Sequence, residues 1–384
     1  MRNVLLLGAS GNIGTQSLDI LEKDQSSFVL KGITIGHQVE KIEGILERFP
    51  SIGFVCVREE EDAKTLQEKH PGLKIYFGDD GLLEIIEDCP CDMVVNALVG
   101  FAGMMPTLKA LRENKILCLA NKESLVVAGE LVNRLLRQGK GKLYPIDSEH
   151  VALAKCLSKV NRDDVEKLVI TASGGSFRNL SRNELRDVTP EDALKHPTWS
   201  MGKKITIDSA TMFNKGFEVI EAHYLFDWPI ERIEVLLHDE SWVHSALSMK
   251  DGTYYADVCK PDMHGPIEYA LYEGKNHFDI FHEKQLSDFG PYTFHRFNPE
   301  RYPAVNIALS ALKAGGIMPT VLNAANEEAV YLFLDHKIPF LTIEKAVESA
   351  LSHFPNIAHP TVRDICSTDQ YMRLYIRRKY GGEE

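Results

Sequence analysis

Over its first 146 residues the chain sets seven short apolar runs against charged amphipathic stretches in steady alternation. Val4–Leu7, Val29–Ile35, Phe54–Val57, Lys74–Phe77, Met93–Leu98, Ile116–Leu119 and Leu143–Ile146 read as strands. The segments between them carry apolar residues at helical spacing. A chain with this rhythm forms a parallel sheet, because parallel neighbours need a crossover long enough to be a helix. Helices then cover both faces of that sheet.

The first strand runs into Gly8-Ala9-Ser10-Gly11-Asn12-Ile13-Gly14, and a helix is expected to begin near Thr15. Glycines between a strand and a helix let the backbone turn sharply and let a pyrophosphate approach the free N–H groups of the helix start. The spacing is GxxGxxG rather than the more common GxGxxG, so the strand–loop–helix context carries the reading of a dinucleotide site. The second strand ends at Gly36-His37-Gln38, with no acid before Glu40 to hold a ribose 2′-hydroxyl. His37 and Lys41 instead suit a 2′-phosphate, which favours NADP over NAD.

From Asp147 the rhythm changes. A strand over Lys167–Thr171 leads into Ser173-Gly174-Gly175-Ser176, and a polar region containing His196-Pro197-Thr198-Trp199-Ser200-Met201-Gly202 follows. One helix is expected over about Ser209–Leu225, then strands near Arg232–Leu237 and Val243–Met249. The Asp251-Gly252 hairpin signal precedes a return strand at Tyr254–Val258. Beyond residue 300, Val305–Ala314, Asn323–Leu334 and Ile343–Ser352 have helical periodicity, interrupted by Gly315-Gly316. The expected fold is α/β, with a Rossmann-like N-terminal domain at 1–146, a central α+β catalytic domain at 147–290 and a C-terminal helical domain at 291–384.

Three stretches concentrate chemistry: Asn121-Lys122-Glu123-Ser124, Asp147-Ser148-Glu149-His150, and Asp208 to Glu218. Asp147 and Glu149 stand two apart, and so share one side of an extended segment. Asn214, Lys215 and Glu218 share one face of a helix. Neighbouring carboxylates repel unless a cation lies between them, and oxygen-only ligands favour magnesium or manganese over zinc. The pattern therefore reads as a metal-dependent NAD(P) enzyme. Each stretch also has a plainer explanation. Lys122 and Glu123 suit a surface ion pair, Asp147 to Glu149 suit a helix cap, and Trp199 and Met201 suit ordinary core rather than a lid. Ser173, Ser209, Asn214, Lys215 and His196 together offer the donors that would surround a phosphate.

The net charge of −12 gives no support for nucleic-acid binding, and no apolar run approaches a membrane span. Seven cysteines without a metal-type spacing indicate a reducing, cytoplasmic setting, and the apolar start at Val4 argues against a signal or transit peptide.

GASGNIG, LANKESLV, PIDSEH, SGGSFR, HPTWSMG, KITIDSATMFNKGFEVIEAH, SWVHS and LNAANE, in order from residue 8 to residue 327, resemble the 1-deoxy-D-xylulose 5-phosphate reductoisomerase family. The resemblance implies an NADPH- and Mn2+- or Mg2+-dependent conversion of that sugar phosphate to 2-C-methyl-D-erythritol 4-phosphate, in non-mevalonate isoprenoid synthesis, by a homodimer. It implies metal ligands at Asp147, Glu149 and Glu218. Catalysis would involve these with Lys122. Substrate contacts fall on Lys122, Ser148, Glu149, Ser173, His196, Ser209, Asn214, Lys215 and Glu218. NADPH contacts fall on Ser10, Gly11, Asn12, Ile13, Gly36, His37, Gln38, Asn121, Glu123 and Gly202. The chain departs from the family pattern at Gln38, where Asn is usual, at Asp239-Glu240, where Pro-Gln is usual, and at His264, where Arg is usual. Asp239 and Glu240 add negative charge upstream of His244, which would weaken phosphate binding unless they face away. An alternative is a related reductase for another phosphorylated sugar. A semialdehyde or homoserine dehydrogenase does not account for DSEH with NKGFE, and a dinucleotide sensor has no need of three carboxylates.

Overall fold

The computed structural model describes residues 1–275 and 290–382, and these gather into two compact units. The first comprises Met1–Ser124, Glu130–Val151 and residues 262–275. The second comprises Leu125–Gly129, Ala152–Pro261 and residues 290–382. Residues 276–289 of the expected central domain lie outside the described residues.

The first unit is built on seven strands: β1 (Arg2–Leu7), β2 (Phe28–Ile35), β3 (Phe54–Val57), β4 (Lys74–Phe77), β5 (Met93–Asn96), β6 (Ile116–Leu119) and β7 (Lys142–Pro145). All pair in parallel, in the order β4-β3-β2-β1-β5-β6-β7. Val4, Leu5, Leu6 and Leu7 are all fully buried, as expected for a central strand covered on both faces. The chain winds outward from β1 to β4, then returns to lay β5 on the other side of β1. Such a switch point opens a crevice at the carboxyl ends of the central strands, where doubly wound sheets bind ligands.

The second unit contains β8 (Val165–Ala172), β9 (Ile233–His238), β10 (Val243–Met249), β11 (Tyr254–Val258) and β12 (Phe294–Arg296), ordered β11-β10-β8-β9-β12. Only β8 and β9 run parallel; the other pairs are antiparallel. Helices Pro303–Ala314, Met318–Leu334, Thr342–His353 and Val362–Tyr380 form its C-terminal part. The first of these ends at Gly315 and Gly316, both at positive φ. A Cβ on Gly316 would meet the Ile357 carbonyl oxygen at 2.3 Å, so the chain needs glycine to pass there.

Several described elements, among them the following, differ from the sequence expectation. The single helix expected from Ser209 is two, Lys203–Thr211 and Phe213–Phe226, separated by Met212 in the left-handed conformation at φ 71°. Helical spacing continues across the break, so periodicity cannot reveal it. The Val362–Tyr380 helix, closed at its start by a Thr361–Asp364 capping box, is too polar for its stripe to stand out. The His264–Leu271 helix follows directly on a turn and has Pro266 in its first turn, where proline is tolerated. This short helix packs in the first unit, where the Cys118 thiol donates to the Ala270 carbonyl at 3.3 Å.

Candidate functional site

In the first unit, four of the expected site segments follow the carboxyl ends of strands: the glycine loop after β1, the Gly36–Gln38 turn after β2, Asn121–Glu123 after β6, and Asp147–Glu149 after β7. The glycine loop is shaped by absent side chains. Gly8 has φ +83°, and a Cβ there would sit 2.8 Å from the Ala97 carbonyl oxygen beyond β5. A Cβ on Gly14 would lie 2.2 Å from the Gly8 carbonyl oxygen. The missing Gly14 side chain lets the helix begin at Asn12, three residues earlier than expected, with Gly11 as its N-cap. Asn12 and Ile13 therefore lie in the first helical turn, whose N–H groups suit an anion. The tight turn that these glycines permit leaves a helix start suited to a dinucleotide pyrophosphate.

Gly36, His37 and Gln38 are exposed. The Lys41 ammonium donates to the Ser10 carbonyl at 3.2 Å and to Gln38 Oε1 at 2.9 Å. It thus places positive charge between loop and turn. On the far side of the crevice Asn121 is buried. Its Nδ2 donates to the carbonyls of Leu98 at 2.9 Å and Gly100 at 2.8 Å, and its Oδ1 accepts from the Ser124 N–H at 3.0 Å. Asn121 therefore pins the β6 loop to the β5 loop, and Glu123 beside it is buried too.

Asp147 lies at the end of β7, next to the Ser148–Leu157 helix. Its carboxylate meets Lys122 Nζ at 2.6 Å and His150 Nδ1 at 3.0 Å. Burial alone would raise its pKa, but the Lys122 ammonium and the His150 ring override this and hold the carboxyl well below the usual range. Glu149 donates its backbone N–H to Asp147 Oδ1 at 3.2 Å, and Ser148 Oγ donates to the Glu149 carboxylate. Lys122 is thus buried rather than a surface residue, and its ammonium meets Asp147. His150 is a buried partner of Asp147 that the sequence reading did not assign, although its place three residues after Asp147 on a helix start was the available signal.

The second unit holds the other residues. Gly174 and Gly175 are both left-handed, at φ +82° and +72°. A Cβ on Gly175 would come within 2.5 Å of the Ser209 carbonyl oxygen, so this loop packs directly on the Lys203–Thr211 helix. Ser173 Oγ lies 3.2 Å from His196 Nε2. His196 Nδ1 accepts from the backbone N–H groups of Thr198 at 3.2 Å and Trp199 at 2.9 Å. Those bonds fix the tautomer: Nε2 carries the hydrogen and donates to Ser173. Burial, helped by nearby Arg178, pushes the His196 pKa down to about 4, so the ring is a neutral donor near pH 7. Ser209 lies on one helix and Asn214, Lys215 and Glu218 on the next. Lys215 Nζ donates to one Glu218 oxygen and Asn214 Nδ2 to the other. Gly202 caps the first of these helices.

The extra acids at 239–240 are engaged by the segment that leads into β12. Glu240 accepts from the Thr293 N–H at 3.0 Å and its hydroxyl at 2.7 Å, while the Asp239 carboxylate lies 3.3 Å from His295 Nε2. His264 pairs with Asp262 at 2.6 Å.

The first unit thus supplies a dinucleotide cradle and a buried carboxylate–ammonium cluster. The second supplies hydroxyl, amide, ammonium and imidazole donors of the kind that bind a phosphate, with one buried carboxylate among them.

Three family models match the chain. The 1-deoxy-D-xylulose 5-phosphate reductoisomerase model matches residues 4–129, and two models of reductoisomerase C-terminal domains match residues 143–226 and 258–375. A relative from Bacillus thuringiensis subsp. konkukian, 1-deoxy-D-xylulose 5-phosphate reductoisomerase 2, is 45% identical over 98% of this chain and 99% of its own. The reductoisomerase of Geobacillus sp. is 46% identical over the same shares. The structure of the Zymomonas mobilis enzyme in complex with NADPH superposes with a TM-score of 0.90 at 37% identity, over 99% of both chains. A DOX-P reductoisomerase in complex with NADPH, fosmidomycin and magnesium gives 0.93 at 33% identity, over 99% of this chain and 98% of the other.

Proposed function

The chain belongs to the 1-deoxy-D-xylulose 5-phosphate reductoisomerase family, and from that premise we propose a role for each of its site residues. The reaction is the NADPH- and divalent-metal-dependent rearrangement and reduction of 1-deoxy-D-xylulose 5-phosphate to 2-C-methyl-D-erythritol 4-phosphate, a step of isoprenoid synthesis. The full-length match at 45% identity carries this reading.

Asp147, Glu149 and Glu218 would hold Mn2+ or Mg2+. The donor set fits, because all three groups are hard carboxylates, and an ammonium stands beside Asp147 and another beside Glu218 as balancing charge. The cation supplies Lewis acidity to the substrate ketone and its neighbouring hydroxyl. Glu149 takes the hydroxyl proton as the carbon–carbon bond shifts, and Lys122 donates to the oxygen that gains charge. Bound NADPH would supply the hydride that the reduction requires. Ser148 orients the reacting oxygens. Ser173, Ser209, Asn214, Lys215 and the neutral His196 bind the phosphate, away from the reacting carbons, so its binding energy holds the substrate in register.

Ser10, Gly11, Asn12, Ile13, Gly36, His37, Gln38, Asn121, Glu123 and Gly202 bind NADPH. We assign the cofactor to residues 1–146, metal and substrate to 147–290, and a helical domain to 291–384. The working form is a cytoplasmic homodimer; among the described residues no helix is long and apolar enough to cross a membrane. The test is loss of nicotinamide absorbance from NADPH with the sugar phosphate, with and without manganese or magnesium. Metal-dependent oxidation supports the reading. NADPH binding without turnover overturns it in favour of another phosphorylated sugar.

A further inference from the structure

The LNAANE stretch, residues 322–327, has no part in the mechanism above, yet it buries two asparagines completely in the Met318–Leu334 helix. Asn326 Nδ2 donates to Asp208 Oδ1 at 2.8 Å. The other Asp208 oxygen meets Lys204 Nζ at 2.8 Å, and both of these side chains are almost fully buried, at 4% and 2% exposure. The Lys204 ammonium also stands over the Phe217 ring, 5.2 Å from its centre. Asp208 directly precedes Ser209, while Phe217 lies between Lys215 and Glu218.

One buried cation therefore touches both helices that carry the phosphate donors and Glu218. These helices meet at the left-handed Met212, which breaks the helical ladder and turns one helix against the next. A structural prop would be built more cheaply from apolar side chains, because a buried ion pair must offset the desolvation of both charges. Asn326 is itself fully buried, so its bond to Asp208 is made away from water, where a hydrogen bond fixes geometry most firmly. Stability given up in burying the ion pair is the mark of a site maintained for function.

We propose that Lys204, Asp208 and Asn326 are positioning residues for the phosphate end of the substrate. They set the last turn of the Lys203–Thr211 helix, and with it Ser209, against the face of the next helix that carries Asn214, Lys215 and Glu218. The proposal rests on the assignment of Ser209 and Lys215 to phosphate binding.

The test compares Asp208→Asn, Asn326→Leu, Lys204→Met and Lys204→Arg in the full-length protein with its metal and NADPH. For Asp208→Asn and Asn326→Leu, KM for the sugar phosphate and the inhibition constant of inorganic phosphate should rise together by about tenfold, a loss of roughly 1.4 kcal/mol each, with kcat within about threefold. The dissociation constant for NADPH should not move. Lys204→Met should behave in the same way, and Lys204→Arg should recover most of the phosphate affinity. A folded Asp208→Asn variant with unchanged KM overturns the proposal. So does a fall in kcat and melting temperature at constant phosphate inhibition, which is what a merely structural role produces. If Asp208→Asn does not fold, Asn326→Leu decides; if neither folds, the cluster is structural and the proposal fails. Ser209→Ala separates the premise from the inference. If it leaves KM unchanged, the phosphate assignment falls and the proposal with it. If it raises KM while Asp208→Asn does not, only the proposal falls.

Discussion

At the scale of single residues, each candidate metal ligand comes with its own neighbours. Asp147 has Lys122 and His150; Glu218 has Lys215 and Asn214. Glu218→Gln keeps the shape and removes the charge. It should lower kcat by roughly a hundredfold while NADPH binding, followed by cofactor fluorescence, stays near wild type. Full turnover by that variant would remove Glu218 from the ligand set. At the cofactor end His37 is exposed in a turn without an acid at its tip, and Lys41 lies beside Gln38. His37→Asp should therefore move the NADPH-to-NADH ratio of kcat/KM towards NADH by about tenfold, because an acid there repels a 2′-phosphate and accepts from a 2′-hydroxyl. An unchanged ratio would show that the turn does not read that group. Residue types and spacings were legible in the sequence as a carboxylate set, but pairings were not. That Lys122 reaches Asp147 depends on β6 and β7 being neighbours, a long-range fact that no local pattern contains.

At the scale of elements, the seven strands of the first sheet were readable nearly to their ends: the central ones are continuous apolar runs, and the edge strands β4 and β7 stand out as short apolar pieces between amphipathic stretches. The break at Met212 was not, since one left-handed residue leaves the apolar spacing on either side unaltered. The glycine loop from Ser173 to Ser176 shows how one element depends on another. Gly175→Ala would place a methyl group 2.5 Å from the Ser209 carbonyl in a backbone conformation that costs an L-residue about 1–2 kcal/mol. The expected result is a lower melting temperature together with a KM for the sugar phosphate raised by about tenfold. A variant with wild-type KM would place this loop outside the phosphate site. The Val362–Tyr380 helix escaped the sequence reading for the opposite reason: it has much charge and little buried face.

At the scale of the whole molecule, the family and its order of motifs were legible along almost the entire chain, whereas the division into two compact units was not. Residues 262–275 pack with the N-terminal sheet, far from it in sequence, through contacts such as Arg2 with Glu273. The sum of shifted groups predicts how stability varies with pH. The folded His196 pKa of about 4 lies below its unfolded value near 6.5, so the unfolded chain binds the extra proton between those values. That contribution is complete above pH 6.5 and is lost as the pH falls to about 4. Asp147, held well below its unfolded value of 3.8, adds a second loss that begins only below that pH. Denaturant midpoints measured without metal should therefore decline in two stages on acidification. His196→Asn should flatten the first stage alone; an unaltered first stage would detach it from His196.

The lysines beside Asp147 and Glu218 have a practical consequence. Each of these acids already has an ammonium against it, so the proposed cation is not needed to balance its charge, and a chelator should strip the protein without scarring it. Purified enzyme treated with EDTA should lose activity yet keep its melting temperature within a few degrees, and regain full turnover on adding back magnesium.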